Sequence, residues 1–165
     1  NQELGSREME IVRRISNLDS FIEWAETYRH LLTAGQYRSA FKRQYVEIGW
    51  RCERGNFTKA LDDERAYAIA ERAGCPDAKL FLLCLYQRGG GIKEHRDDTG
   101  YGKVAYGLSS TDYEFIHNGN HYHCEAGTIY KFNSKQPHSV PPVAAERWAL
   151  LWWEPDWKYW SELGF

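Results

Sequence analysis

The second half of this chain is a series of short strand-like segments, and this series limits the folds that are open to it. The first segment, LFLLCLY, is a continuous apolar run, which is typical of a strand buried on both faces. Gly, Asn, Asp and Pro residues separate the segments at short intervals, which favours an all-β barrel or sandwich. The predicted strands are Leu80–Tyr86, Ile92–Asp97, Lys103–Ser109, Tyr113–His117, Tyr122–Glu125, Thr128–Phe132, His138–Val143 and Arg147–Trp153.

The first half of the chain has the period of helices instead. Apolar residues recur every three or four positions over Glu8–Gly35. Asn17, Asp19 or Ser20 can cap a new helix within this range, and Gly35 is suited to end it. This range therefore predicts helical structure.

A second helix is predicted further along. Thr58–Ala73 (TKALDDERAYAIAERA) has helical composition, with Gly74 at its end and Pro76 beyond, whereas the pattern of Gln36–Arg54 is ambiguous. No internal repeat, low-complexity tract or linker divides the chain. We therefore predict one mainly β domain over residues 1–165, with a helical layer at about 1–78 and a β core at about 79–165.

Charge and composition narrow the classes of protein. The 165 residues carry a net charge of -2 with a pI near 6.3, so no overall positive field attracts nucleic acid or an acidic membrane. No apolar stretch approaches the roughly 20 residues of a membrane-spanning helix. The start does not resemble a signal peptide, although a chain that begins at Asn1 without Met fits a trimmed one. We expect a cytoplasmic protein that does not associate with membranes.

The cysteines form no CxxC pair and are expected to be buried and reduced: Cys52, Cys75, Cys84 and Cys124.

Two histidines, an aspartate and an arginine form the pattern that carries chemistry. His95 and Asp97 lie two residues apart, so on a strand both side chains point to the same face. His138 lies on a later strand, which a barrel would bring opposite the first. Two imidazoles and one carboxylate on one face of an iron ion leave three positions open, as in the facial triad of non-haem Fe(II) oxygenases. Arg147 then offers a planar fork for the carboxylate of a cosubstrate.

Two stretches of the sequence carry a family resemblance. Tyr86–Asp97 (YQRGGGIKEHRD) and Gly127–Trp153 (GTIYKFNSKQPHSVPPVAAERWALLWW) together resemble the Fe(II)/2-oxoglutarate-dependent oxygenase superfamily. The resemblance covers roughly Leu80 to Trp153, and the helical first half adds nothing to it. It implies a double-stranded β-helix, or jelly-roll, core of eight strands.

The resemblance also implies a role for each residue of the pattern. His95, Asp97 and His138 would be the catalytic iron ligands, Arg147 would bind the distal carboxylate of 2-oxoglutarate, and Tyr86 would donate a hydrogen bond to this cosubstrate. Related halogenases lack the carboxylate that Asp97 provides here. The resemblance therefore favours an oxygenase and not a halogenase.

The activity that follows from the resemblance is that of a dioxygenase. It would use Fe(II), 2-oxoglutarate and O2, with ascorbate as a stimulant, to hydroxylate or demethylate a substrate, and it would release succinate and CO2. A small molecule such as an amino acid is slightly favoured as the substrate, while a peptide and a nucleobase stay open. The sequence leaves the oligomeric state open as well.

Two alternatives remain at this point. One is a jelly-roll binding module that keeps the fold but is catalytically inactive. The other is a cupin-type metalloenzyme, in which His121, His123, Glu125 and His138 would bind the metal, although the cupin spacing is not met.

Glycines and tryptophans near the pattern allow two further predictions. Gly89–Gly91 lacks the GxxxxGK[ST] arrangement of a phosphate-binding loop, and we expect it to form a turn at the mouth of the site. Of Trp148, Trp152 and Trp153, at least one is expected to pack under the barrel and one to line the substrate pocket.

Overall fold

The computed structural model of the protein describes residues 9–34, 39–53 and 55–164. Within these ranges, strands predominate over helices. The strands are β1 (Met9–Arg14), β2 (Thr33–Ala34), β3 (Ala40–Glu53), β4 (Asn56–Lys59), β5 (Leu80–His95), β6 (Tyr101–Ser109), β7 (Tyr113–His117), β8 (Asn120–Cys124), β9 (Thr128–Asn133), β10 (His138–Val140) and β11 (Arg147–Pro155). The helices are α1 (Leu18–Glu26), α2 (Glu64–Arg72) and α3 (Trp157–Glu162), with a 3₁₀ turn at Arg29–Leu31.

The strands form a curled antiparallel sheet in which β5 is the central element. Along the main path the strand order is β1-β9-β6-β11-β5-β10-β7-β8, and β3 pairs with β5 as well. The first part of β5, Leu80–Tyr86, pairs with both β3 and β11, whereas its last part pairs with β3 and β10. This long strand therefore passes from one half of the sheet to the other.

The register of β5 against β3 shifts at three consecutive glycines, Gly89–Gly91, and this stretch is called the corner of β5 below. A Cβ atom added to Gly91 would lie 2.4 Å from the carbonyl oxygen of Val140, and one added to Gly90 would lie 2.4 Å from that of Lys42. Only glycine permits backbones to approach this closely. The prediction of a turn at these residues is wrong, because they remain within β5 and let β10 pack tightly against it.

Two hydrophobic cores lie on opposite faces of the sheet, and successive side chains of β5 point alternately into one core and the other. Leu83 and Leu85 point outward and pack with buried residues of α1 and α2. Cys84 and Tyr86 point inward and belong to the core inside the curl. The apolar run at the start of β5 is therefore buried on both faces, as its sequence predicts.

The predicted helix over Glu8–Gly35 is wrong at its start and right in its middle. The first described residues of this range form β1 instead of a helix. Pairing with β9 at the edge of the sheet supplies hydrogen bonds between the strands, and these outweigh the helical spacing of a few apolar residues. α1 follows, and the side chain of Asn17 caps it by accepting a hydrogen bond from the backbone N–H of Ser20. Gly35 lies outside the described residues.

The remainder of the predicted helical layer also contains strands. Most of the ambiguous segment Gln36–Arg54 is β3, which lies in the sheet beside β5. The helix predicted over Thr58–Ala73 is shorter than expected, because its first residues pair with β3 as β4 and Asp63 caps α2. Gly74 follows the helix with a positive φ of 83°, as expected of a glycine stop.

The predicted strands of the second half are confirmed, with shifted ends. Two of them are parts of one strand, β5, which stops at His95 and does not reach Asp97. The fold class, mainly β with a jelly-roll core, is confirmed, and α1 and α2 of the predicted N-terminal helical layer pack on one face of the sheet.

Two further expectations can be compared with the structure. All four cysteines are free thiols: three are buried and Cys52 is half-buried. None of the described helices is long and apolar enough to cross a membrane. The division into a layer and a core within one domain stays a prediction.

Candidate metal and cosubstrate site

Three side chains converge where β5 and β10 meet. His95 is the last residue of β5 and His138 is the first residue of β10, and the two are direct partners in the ladder. Asp97 follows in the segment after β5. One ligand atom from each residue lies within 4.8 Å of the other two, and this is the one group of potential metal ligands found in the described part of the chain.

Two details of this group differ from the sequence prediction. Asp97 lies beyond the end of β5, so strand alternation is not what points it at the histidines; its backbone N–H is held instead by the carbonyl oxygen of Ser134. His138 comes from the adjacent strand and not from the opposite side of a barrel. Adjacent pairing fixes the two imidazoles more closely than an arrangement across a barrel would.

The distances within the group suit a divalent ion. Asp97 Oδ1 lies 3.1 Å from His138 Nε2 and 3.3 Å from His95 Nε2. Ligands bonded at about 2.1 Å to a first-row metal lie about 3.0 Å apart when they occupy adjacent octahedral positions. The spacing of these three atoms is therefore close to what one metal ion requires.

Backbone carbonyl groups fix the orientation of both imidazoles. Nδ1 of His95 lies 2.8 Å from the carbonyl oxygen of Lys93, and Nδ1 of His138 lies 2.8 Å from that of Gln136. A carbonyl oxygen only accepts, so each Nδ1–H donates and Nε2 of each ring faces Asp97. The two Nε2 atoms and the carboxylate therefore converge on one point, where either a proton on Nε2 or a metal cation offsets the repulsion between their lone pairs.

The electrostatics of the group agree with this geometry. Burial raises the pKa of the Asp97 carboxyl, but the hydrogen-bonding contacts with His138 and His95 outweigh burial and hold this pKa well below its usual range. Burial lowers the pKa of His95, but the contacts with Asp97 and the Lys93 carbonyl outweigh burial and raise it. The carboxylate is thus ionised and ready to bind a cation.

Arg147 lies in the same cavity, on the first position of β11. It is 4% exposed, and its guanidinium carbon lies 3.9 Å from the ring centroid of Tyr113 and 4.9 Å from that of Tyr86. Its Nε donates to the hydroxyl of Ser109 at 2.8 Å. Its Nη1 is buried and has no hydrogen-bond partner among the described residues. A carboxylate that entered the cavity would satisfy this group, which is what an arginine that anchors a cosubstrate requires.

Tyr86 and a second arginine complete this wall. Tyr86 is the ladder partner of both Arg147 on β11 and Arg43 on β3, so three side chains form a row across adjacent strands. Burial raises the pKa of Tyr86, which keeps its hydroxyl neutral and able to donate. Arg43 was not predicted as a site residue, because it lies in the segment whose period is ambiguous and belongs to no motif.

The cavity that holds these groups has a volume of about 420 Å³. This lies within the roughly 300–1,000 Å³ of sites that bind small molecules. Trp153 lines the cavity, while Trp152 is fully buried on the opposite face of β11, in the outer core. One tryptophan is thus packed under the sheet and another lines the cavity, as predicted, while its contact with substrate stays a prediction.

The cupin-type ligand set is not assembled. His121 and His123 are exposed on β8, and His123 contacts Glu114 and Asp112 instead of His138. The group of potential ligands found around His138 in the described residues consists of His95 and Asp97 and includes neither His121, His123 nor Glu125. The structure therefore does not support the cupin alternative.

Comparison with solved structures gives the class of fold. The chain is similar to a prolyl hydroxylase from Trichoplax adhaerens, in complex with a peptide fragment of the hypoxia-inducible factor oxygen degradation domain, over 97% of this chain and 88% of that one, with a TM-score of 0.72 and 14% identity. It is similar to a Pseudomonas putida prolyl-4-hydroxylase over 90% and 91%, with a TM-score of 0.63 and 17% identity. A third is SnoN, a non-heme alpha-ketoglutarate-dependent epimerase of nogalamycin biosynthesis, over 89% and 77%, with a TM-score of 0.63 and 11% identity.

These likenesses establish the fold. No protein-family model matches the sequence, and no curated protein is similar enough to match it. The resemblance to the Fe(II)/2-oxoglutarate-dependent oxygenase superfamily is confirmed as a likeness of fold. Independently of the likeness, the described residues include a His-Asp-His group that could hold a metal ion.

Proposed function

We propose that this protein is an Fe(II)- and 2-oxoglutarate-dependent dioxygenase. One observation carries the proposal: a His-Asp-His group with converging lone pairs and a buried arginine with an unsatisfied N–H line the same cavity. The fold supports it, because alpha-ketoglutarate dependence is stated for one protein of the same fold and hydroxylation for two others. Fold alone does not define function, so the argument depends on the site.

His95, Asp97 and His138 would hold the iron through two Nε2 atoms and one carboxylate oxygen. Imidazole and carboxylate suit Fe(II), whereas thiolate would favour zinc or copper, and no cysteine is among the described residues that line the cavity. When bound, the iron with 2-oxoglutarate and O2 supplies the oxidation of a C–H bond and the release of succinate and CO2. The protein's part is to hold, orient and shield these groups.

Arg147 and Tyr86 would bind the cosubstrate. The guanidinium is held between two rings and by Ser109, so its free N–H points in a fixed direction. We expect it to bind the distal carboxylate of 2-oxoglutarate, with the neutral hydroxyl of Tyr86 as a further donor. Their burial excludes water from this end of the cavity and strengthens both contacts.

We propose hydroxylation, or the demethylation that follows when the oxidised carbon is an N-methyl group, as the reaction type. Asp97 fills the third ligand position, so a chloride ion has no vacancy at the metal. A small molecule such as an amino acid is the favoured substrate, because the cavity must hold the cosubstrate as well. A catalytically inactive binding module with the same fold is the competing function.

An oxygenation assay tests the proposal. Amino acids, peptides and nucleosides are offered to the protein with Fe(II), ascorbate, 2-oxoglutarate and ¹⁸O₂. At least one should couple succinate release to a product that carries one ¹⁸O atom, or to formaldehyde. The His138→Ala variant should lose this activity, whereas His30→Ala, which alters an exposed histidine, should keep it. If iron and 2-oxoglutarate both bind but succinate never forms, the binding module becomes the function.

A further inference from the structure

Arg43 is a second buried arginine in the cavity, and the proposed function assigns it no ligand of its own. It is 6% exposed, lines the cavity and lies on the inner face of β3. Its guanidinium carbon lies 5.9 Å from the ring centroid of Tyr86 and 5.8 Å from that of Tyr45. Arg43 and Arg147 therefore flank Tyr86 on either side, one on β3 and one on β11.

Arg43 is also near the metal group. Arg43 lines the same cavity as His95, Asp97 and His138. In the curled sheet, β3 follows β5 past the corner, since Ala40 pairs with Ile92 three residues before His95. A group bound to Arg43 would thus lie on the β3 side of Tyr86, whereas one bound to Arg147 would lie on its β11 side.

The balance of charge in the cavity indicates what Arg43 binds. Among the described residues that line the cavity, the charged ones are three arginines and two aspartates, which leaves one positive charge: Arg43, Arg96, Arg147, Asp97 and Asp98. The two positive charges of Fe(II) and the two negative charges of 2-oxoglutarate cancel. The loaded cavity therefore keeps one excess positive charge. Arg96 and Asp98 are exposed at its mouth, so the excess lies in the interior at Arg43.

A positive interior favours a substrate with one negative charge, because complementary potentials decide which ligand enters a cavity. A carboxylate carries one charge and matches the planar fork of arginine, whereas a phosphate monoester near neutral pH carries closer to two. Apolar and aromatic side chains such as Leu82, Phe115 and Leu151 form much of the remaining wall. They suit an apolar body attached to the charged group.

We propose that Arg43 binds the carboxylate of the prime substrate, and that the substrate is a small carboxylic acid with an apolar body. This inference rests on the proposed function, because it assigns Arg147 to 2-oxoglutarate. It makes Arg43 a residue that determines specificity and not one that binds the cosubstrate.

Binding measured without turnover tests the inference. The protein is loaded with Mn(II) and saturated with 2-oxoglutarate, and small carboxylic acids, amino acids among them, are titrated by calorimetry beside their primary amides. At least one acid should bind to the wild type, and its amide should bind on the order of tenfold more weakly or worse, because the amide loses the charge-assisted pair. Arg43→Gln should bind acid and amide equally, while its affinity for 2-oxoglutarate stays unchanged.

Two variants serve as controls. Arg88→Gln removes the same charge from an exposed position on β5 and should leave acid, amide and 2-oxoglutarate binding as in the wild type. Arg43→Lys keeps the charge but loses the fork, so its preference for acid over amide should be reduced but present. Should Arg43→Gln not fold, as judged by circular dichroism, the wild-type preference and its reduction in Arg43→Lys decide the outcome.

Three results would overturn the inference alone: no acid binds, acid and amide bind equally to the wild type, or Arg43→Gln weakens 2-oxoglutarate binding instead. The last of these would make Arg43 a cosubstrate residue. If the proposed function itself is wrong, 2-oxoglutarate does not bind to the metal-loaded wild type. The inference would then fail together with the proposed function.

Discussion

Trp153 donates a hydrogen bond from Nε1 to Oδ2 of Asp97 at 3.0 Å, so the carboxylate is held by one oxygen while the other faces both histidines. The donor comes from β11, two strands away from β10 in the sheet. Side chains that hold a metal ligand in place are part of the metal site, because they fix the direction of its lone pairs. The orientation of Asp97 therefore depends on a residue outside the motif.

The first prediction concerns this hydrogen bond. Trp153→Phe should lower the affinity for divalent metal by roughly 10- to 100-fold, because the carboxylate loses the donor that orients it. Trp152→Phe is the matched control, since Trp152 lies on the opposite face of β11 and its Nε1 has no hydrogen-bond partner in the described part of the chain. Competition with a chelator measures both. Equal metal affinity in Trp153→Phe and the wild type would show that the hydrogen bond does not orient Asp97.

The second prediction concerns Arg147. Arg147→Lys keeps the charge but loses the fork that two rings and Ser109 hold in place, so the affinity for 2-oxoglutarate should fall on the order of tenfold or more. Arg88→Lys makes the same change at an exposed position and should have no effect. A titration of 2-oxoglutarate into each metal-loaded variant gives the comparison. An unchanged curve for Arg147→Lys would mean that another residue anchors the cosubstrate.

The third prediction concerns the corner of β5. Gly91→Ala should reduce the free energy of unfolding by about 1–3 kcal/mol, because the added methyl group meets the backbone carbonyl of Val140 on β10. Metal affinity should fall too, since His138 lies on the same strand. Gly107→Ala meets only the flexible side chain of Leu151 at 3.3 Å and should affect stability less. Urea unfolding checks the order, and a larger loss in Gly107→Ala would contradict it.

The fourth prediction concerns the contact between α1 and β11. Hydrogen bonds from Arg29 and from the indole of Trp148 lower the pKa of Glu26 from 4.5 to about 2. A lowered carboxyl pKa contributes stability that is present above about pH 4.5 and is lost as the pH falls through about 2. Because Glu26 is 42% exposed, solvent screening keeps this contribution below about 1 kcal/mol.

The variant Glu26→Gln tests this pH dependence. At pH 6 it should be slightly less stable than the wild type, and the difference should shrink toward zero as the pH approaches 2. Glu23→Gln changes another exposed glutamate of α1 and serves as the control. Urea unfolding at several pH values gives the difference. If the difference in the free energy of unfolding between Glu26→Gln and the wild type stayed constant across this pH range, the ionised carboxylate would not be its source.

The group of His95, Asp97 and His138 could be predicted because the types of its residues and their spacing can be read directly from the sequence. His95 and Asp97 are close in sequence, and His138 and Arg147 follow in the order that the family pattern has. What sequence spacing could not show is that His138 pairs directly with His95, since the partner of a strand depends on the whole sheet. The same holds for Trp153, whose contact with Asp97 joins residues far apart in the chain.

The first half of the chain shows why periodicity alone was insufficient. The apolar residues of β1 span so few positions that they fit the spacing of a helix as well as that of a strand. Pairing with β9 makes this segment a strand. β3 carries residues buried on both faces, which removed the alternation that would have marked it as a strand. Arg43 was missed for this reason, because its role in the cavity depends on β3 lying beside β5.

The most direct test of the central claim is whether 2-oxoglutarate binding depends on metal at this site. Calorimetric titration under anaerobic conditions should give one equivalent of 2-oxoglutarate per chain when Fe(II) is bound. Without metal, the affinity should be weaker on the order of tenfold or more, because two of the cosubstrate's donor atoms lose their partner. His138→Ala should behave as the metal-free protein does, with or without added Fe(II). Binding that is equally strong with and without metal, or in His138→Ala, would contradict the claim that His95, Asp97 and His138 form the centre at which this protein works.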